Sequence, residues 1–73
     1  MKYTIPHPTP GQPPATRKSD RQYTHIVFWL DDAEKDYARP AFCGSRRLAN
    51  NAQYSSLRPL KKVIVEIDLS WVK

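Results

Sequence analysis

Few side chains in this sequence could do chemistry, and most of those that could are cations. Cys43 stands just before Gly44 and Ser45 at the expected start of a helix, where the positive helix end lowers a thiol pKa. His25 falls on a neighbouring predicted strand, and a thiol beside an imidazole forms a nucleophile and base pair. The surroundings do not complete an enzyme. A Cys-x5-Arg phosphate-transfer loop needs arginine six positions after the cysteine, where Ala49 stands. No Gly-x-Ser-x-Gly elbow, glycine-rich phosphate cradle or His-Glu-x-x-His helix occurs. One cysteine and two histidines cannot close a structural zinc site without carboxylates. The four carboxylates Asp31, Asp32, Glu34 and Asp36 lack the central glycine and distal glutamate of a calcium loop, so they read as a solvated hairpin turn. The expectation is a chain with no catalytic residue, no cofactor and no metal, in which Cys43 is a small buried hydrophobe.

The cations are organised. With 12 Lys and Arg against 7 Asp and Glu, the net charge is +5, a balance that favours anionic partners. Between Ala38 and Lys62 stand Arg39, Arg46, Arg47, Arg58, Lys61 and Lys62 with no acidic residue among them. On a helix, Arg47, Asn50, Tyr54 and Arg58 recur at steps of three and four, with Arg46 and Asn51 beside them. Arg46 and Arg47 occupy the first turn, where the macrodipole disfavours cations by a few tenths to about 1 kcal/mol and a bound anion offsets the cost. The predicted binding surface is therefore Arg46, Arg47, Asn50, Tyr54, Arg58, Lys61 and Lys62, with Tyr23 and Trp29 as aromatic contacts to a base or a protein.

The elements that must carry these residues follow from periodicity. Residues 1–21 hold Pro6, Pro8, Pro10, Pro13 and Pro14 and read as a flexible, disordered leader. Gln22 to Leu30 is rich in β-branched and aromatic residues and predicts a strand, with Thr24, Ile26, Phe28 and Leu30 on its core face. Arg39 to Cys43 is a short second strand, held to a sheet edge by Pro40. Ser45 caps a helix running to about Leu57, before Pro59. From Lys61 to Val72 the apolar residues alternate, which predicts a long strand with Val63, Val65, Ile67, Leu69 and Trp71 inward.

The fold expected is thus α+β, a ββαβ unit over residues 22–73 with one helix on a three-stranded, mainly antiparallel sheet. Its unprotected strand edges allow a homodimer or a docked partner strand. A length of 73 residues permits at most one small domain. No apolar run approaches the ~20 residues of a membrane span, the first residues lack a signal-peptide core, and one cysteine cannot form an internal disulfide. A cytoplasmic protein without membrane contact is expected.

Three segments together resemble small bacteriophage and prophage accessory proteins. They are Arg21-Gln22-Tyr23-Thr24-His25-Ile26-Val27, Phe42-Cys43-Gly44-Ser45-Arg46-Arg47-Leu48-Ala49, and the closing alternating strand. The resemblance spans roughly residues 17 to 70. It implies a non-catalytic product that binds a host protein or nucleoprotein complex stoichiometrically and blocks or modulates it, as inhibitor, anti-defence or host-takeover factor. In a bacterial cell its partner would be an acidic or nucleic-acid-binding surface of such a complex. Direct nucleic-acid binding is the alternative that the basic residues favour, and a structural phage component is a further one. The proline-rich leader lies outside the resemblance, and within the second segment the Arg46-Arg47 pair is not part of the shared pattern.

Overall fold

The computed structural model describes residues 1–9, 11–31, 36–37, 40–53 and 60–73. Strand β3 (His25–Asp31) is the axis of the molecule, because its β-branched and aromatic residues leave neither face polar. On one edge it pairs antiparallel with β4 (Asp36–Tyr37) and then β5 (Ala41–Cys43). On the other edge β6 (Lys61–Glu66) runs antiparallel from Leu30↔Lys61 to His25↔Glu66. The sheet is therefore three strands wide, and helix α1 (Arg46–Asn51) connects β5 to β6.

The two faces of this sheet are covered by different layers. On one side Val27, Trp29 and Cys43 pack with Ala49 of α1, and Ala41, Ala52, Leu60 and Ile64 surround them. On the other side Ile26 and Phe28 pack with Tyr3 and Ile5. Those last two residues belong to β1 (Lys2–Ile5), which pairs antiparallel with β2 (Ala15–Lys18). The chain end returns to the free edge of β1: Tyr3 bridges Val72, and Lys2 and Lys73 exchange backbone hydrogen bonds of 2.6 and 2.9 Å. A second small antiparallel sheet, β2, β1 and the C-terminal residues, thus lies over the first.

The α+β class holds, as an antiparallel sheet with one helix, but the details depart from expectation. The order is not a bare ββαβ unit: a hairpin precedes it, and β3 meets two short strands, β4 and β5, along one edge. Where a disordered leader was expected, Lys2–Ile5 and Ala15–Lys18 form paired strands. Pro6, Pro8, Pro13 and Pro14 fall between these strands, where no ladder donor is needed, and Gly11 supplies the positive φ of 86° that the turn requires. Lys2–Ile5 and Ala15–Lys18 are proline-free, and Tyr3 and Ile5 alternate inward with relative exposures of 1% and 0%. A buried Tyr or Ile contributes about 1.5–3 kcal/mol, which explains why so short a hairpin is held.

The last strand is also shorter than its alternation suggests. It ends at Glu66, and the Asp68 side chain accepts the Ser70 N–H at 2.9 Å to cap a 3₁₀ turn, Leu69–Trp71. Leu69 is consequently 88% exposed, not part of the core. The Ser70 backbone N–H first, and the Ser70 side chain after it, hold the Asp68 carboxyl below its usual range.

Candidate functional site

Helix α1 begins as expected. Ser45 accepts the Leu48 N–H in its side chain at 3.2 Å, and Ala49 turns to the core. Its end does not come at Leu57. The helix stops at Asn51, and Lys62 of β6 donates from Nζ to the carbonyls of Asn50 at 2.7 Å and Ala52 at 2.9 Å. Those are carbonyls that a helix end leaves without an internal donor. Leu48 is 58% exposed.

These facts disperse the predicted surface. Arg46, Arg47 and Asn50 are exposed on α1, as a docking surface requires. Lys62 is committed to the helix end and half-buried. Lys61 pairs with Leu30 on the opposite face of the sheet, away from the helix, because neighbouring strand residues alternate sides. Tyr54 and Arg58 lie outside the described residues. Trp29 is no exposed contact: it is 6% exposed, in the core beneath α1. Tyr23 is half-buried in an aromatic group with Tyr3 and Phe42, centroids 5.4 to 5.8 Å apart. The Arg17 guanidinium lies over Tyr23 at 5.3 Å and Phe42 at 5.7 Å.

His25 and Cys43 are direct cross-strand partners, and Glu66 lies opposite His25 on its other side. The row does not make an activated thiol. Burial pushes the Cys43 thiol up, with Lys62 only partly opposing, and Sγ donates to the Ala41 carbonyl at 3.9 Å. His25 Nδ1 shares a 2.7 Å hydrogen bond with the Thr24 hydroxyl.

A different cationic constellation emerges on the outer face of the small sheet. Lys2 stands opposite Lys18 across one edge of β1 and opposite Lys73 across the other. Residues directly opposed in a ladder project to the same face, so three lysines form one row, with neighbouring strands about 4.8 Å apart. All three are exposed, and among the described residues no carboxylate pairs with them. Thr4 and Thr16 form the next row inward. Two clefts flank Lys2: one of about 330 Å³ lined by Lys2, Thr4, Ser70, Trp71 and Lys73, and one of about 380 Å³ lined by Lys2, Thr16, Arg17 and Lys18. The arrangement offers ammonium donors, hydroxyls and the edge of a half-buried indole on one surface.

Sequence reasoning missed this row because Lys2, Lys18 and Lys73 lie at the two ends of the chain, inside or beyond segments read as leader and strand. The available signal was Lys2-Tyr3-Thr4-Ile5, a four-residue polar and apolar alternation. Among the described residues no helix is long and apolar enough to cross a membrane. Comparison of the chain with protein-family models, curated proteins and solved structures gives no match.

Proposed function

We propose that this protein is a non-catalytic binding protein that holds a nucleic-acid strand by its phosphates on the outer face of the small sheet. The observation that carries the reading is the row Lys18, Lys2 and Lys73. Like charges directly opposed across a ladder destabilise it. A phosphate backbone laid along the row offsets that repulsion and releases counterions. Trp71, at the edge of the cleft beside Lys2 and Lys73, supplies a π-surface for a base, the usual complement to cations in single-strand binding.

The test is fluorescence anisotropy with labelled single-stranded DNA and RNA and duplex DNA, repeated as salt is raised. Three phosphate contacts on a single strand give a log–log salt slope near −2, since each contributes about −0.7. Lys2→Gln, Lys18→Gln and Lys73→Gln should each weaken binding and flatten that slope, while leaving the fold as stable or slightly more so, because each relieves the row. Loss of stability instead would assign the lysines a structural role.

A second reading, stoichiometric blocking of a host protein complex, draws on the phage-protein resemblance and on the exposure of Arg46 and Arg47 beside the capped helix start. Undetectable nucleic-acid binding at low salt, with a protein partner retained from bacterial lysate and released by Arg46→Glu plus Arg47→Glu, would move the function to that reading.

A further inference from the structure

Strand β6 is an edge. It pairs with β3 on one side, and among the described residues no strand pairs on the other. The direction of its outer hydrogen-bonding groups follows from one contact: the Ile67 N–H donates to the Thr24 carbonyl at 2.8 Å, in register with the β3 ladder. In an antiparallel ladder these bonds recur at every second residue, so Lys61, Val63 and Val65 also turn their N–H and C=O groups towards β3. Lys62, Ile64 and Glu66 turn theirs outward. The edge therefore offers three donors and three acceptors along six residues, beside the half-buried, β-branched Val63, Ile64 and Val65. Such an edge is a template for another strand.

We propose that the occupant is a second copy of this chain, joined β6 to β6 about a two-fold axis through Ile64. The charges on the strand select this partner and this register. Outward-pointing residues must face outward-pointing residues, and side chains must stay on their own face of the sheet, so only shifts of two residues are allowed. With Ile64 opposite the partner's Ile64, Lys62 falls opposite the partner's Glu66 and Glu66 opposite the partner's Lys62. Val63 meets the partner's Val65 on the side that carries the small sheet. Shifting one way sets Lys62 against the partner's Ile64 and leaves both charges unmatched. Shifting the other way needs Asp68, which has left the strand to cap the 3₁₀ turn.

The side chains suit the pairing. Lys62 is already oriented by Asn50 and Ala52, which use two of the three ammonium donors. Glu66 is exposed, with no side-chain partner among the described residues. Because the axis is perpendicular to the sheet, both small sheets lie on the same side of the joined six-strand-wide sheet. The two lysine rows then face one way, although dimerisation does not depend on what those rows bind.

The experiment is sedimentation equilibrium of the full chain over a wide concentration range, with far-UV circular dichroism as a control of folding. Reversible dimerisation is expected. Ile64→Pro removes an outward N–H without touching the ladder to β3, and Glu66→Lys sets like charges opposite one another twice; each should weaken the dimer about tenfold or more. In a Cys43→Ala background, Ile64→Cys should oxidise to a disulfide-linked dimer, since directly opposed strand residues lie about 5.5 Å apart. If Ile64→Pro does not fold, the exposed Glu66→Lys still decides. A chain that stays monomeric at every concentration, or a dimer unmoved by Glu66→Lys and uncrosslinked through Ile64→Cys, would overturn the proposal.

Discussion

Cys43 shows how far one residue's type can be read without its neighbours. Its placement before Gly44 and Ser45 suggested activation by a helix end, and its chemistry as a small hydrophobe suggested burial. Burial prevails at 7% exposure, because the side chain points under α1 with Val27, Trp29 and Ala49. The thiol is held above its ordinary value mainly by desolvation, and the Lys62 charge lowers it less. A group whose folded pKa exceeds its unfolded one contributes stability that is complete below the unfolded value and is lost as pH rises through the folded value. Urea midpoints should therefore be flat near neutrality and fall above the ordinary thiol range, and Cys43→Ala should remove the part of that fall due to the thiol. Ellman's reagent should label the folded chain slowly at neutral pH and the urea-unfolded chain at once. Labelling of the folded chain as fast as a free thiol would contradict the burial argument. His25 shows the complementary limit, since its pairing with Cys43 depends on a strand register that no local pattern contains.

At the scale of elements, starts were more legible than ends. The start of α1 is set by Ser45, a cap that acts over three residues and is visible in the sequence. Its end is set by Lys62, ten and twelve residues away, which reaches from β6 to the last carbonyls. The same residue was read as part of a docking surface because charge in a sequence carries no direction. Lys62→Met keeps the aliphatic stem against the sheet and removes both charged donors, leaving carbonyls at a half-buried helix end unpaired. A loss of roughly 1–2 kcal/mol is expected from the usual strength of such bonds at a partly solvated site. Urea denaturation measures the loss, and hydrogen exchange should place it in the helix, where the Ala49 and Ala52 amides exchange faster. Unchanged stability would mean that water caps the helix equally well. The C-terminal boundary follows the same rule: alternation continued past Glu66 in the sequence, but Asp68 ends the strand through a local hydrogen bond to Ser70.

On the scale of the whole molecule, the sequence disclosed one layer and concealed the other. The main sheet was legible because β3 and β6 are long and rich in β-branched residues. The hairpin of residues 1–21 was not, because five prolines dominate its composition while its fully buried side chains, Tyr3 and Ile5, are two among many polar residues. Yet these two cover Ile26 and Phe28, and Tyr3 also ties the layers together: its hydroxyl donates to the Arg21 carbonyl at 2.7 Å and accepts the Tyr23 N–H at 3.0 Å. Tyr3→Phe, which keeps the ring and drops both bonds, should cost about 1–2 kcal/mol. Tyr3→Ala adds a cavity and should cost roughly 3–5 kcal/mol, comparable to the whole stability of a domain this small. A chain starting at residue 22 would expose Ile26, Phe28, Val63 and Val65 together and lose the strand that anchors Val72. It should give weak near-ultraviolet dichroism at Trp29 and Trp71 and should bind hydrophobic dyes. A shortened chain that folds with native near-ultraviolet signal would show that the hairpin only decorates the sheet. It would also leave the lysine row without the β1 strand on which its central member, Lys2, is placed.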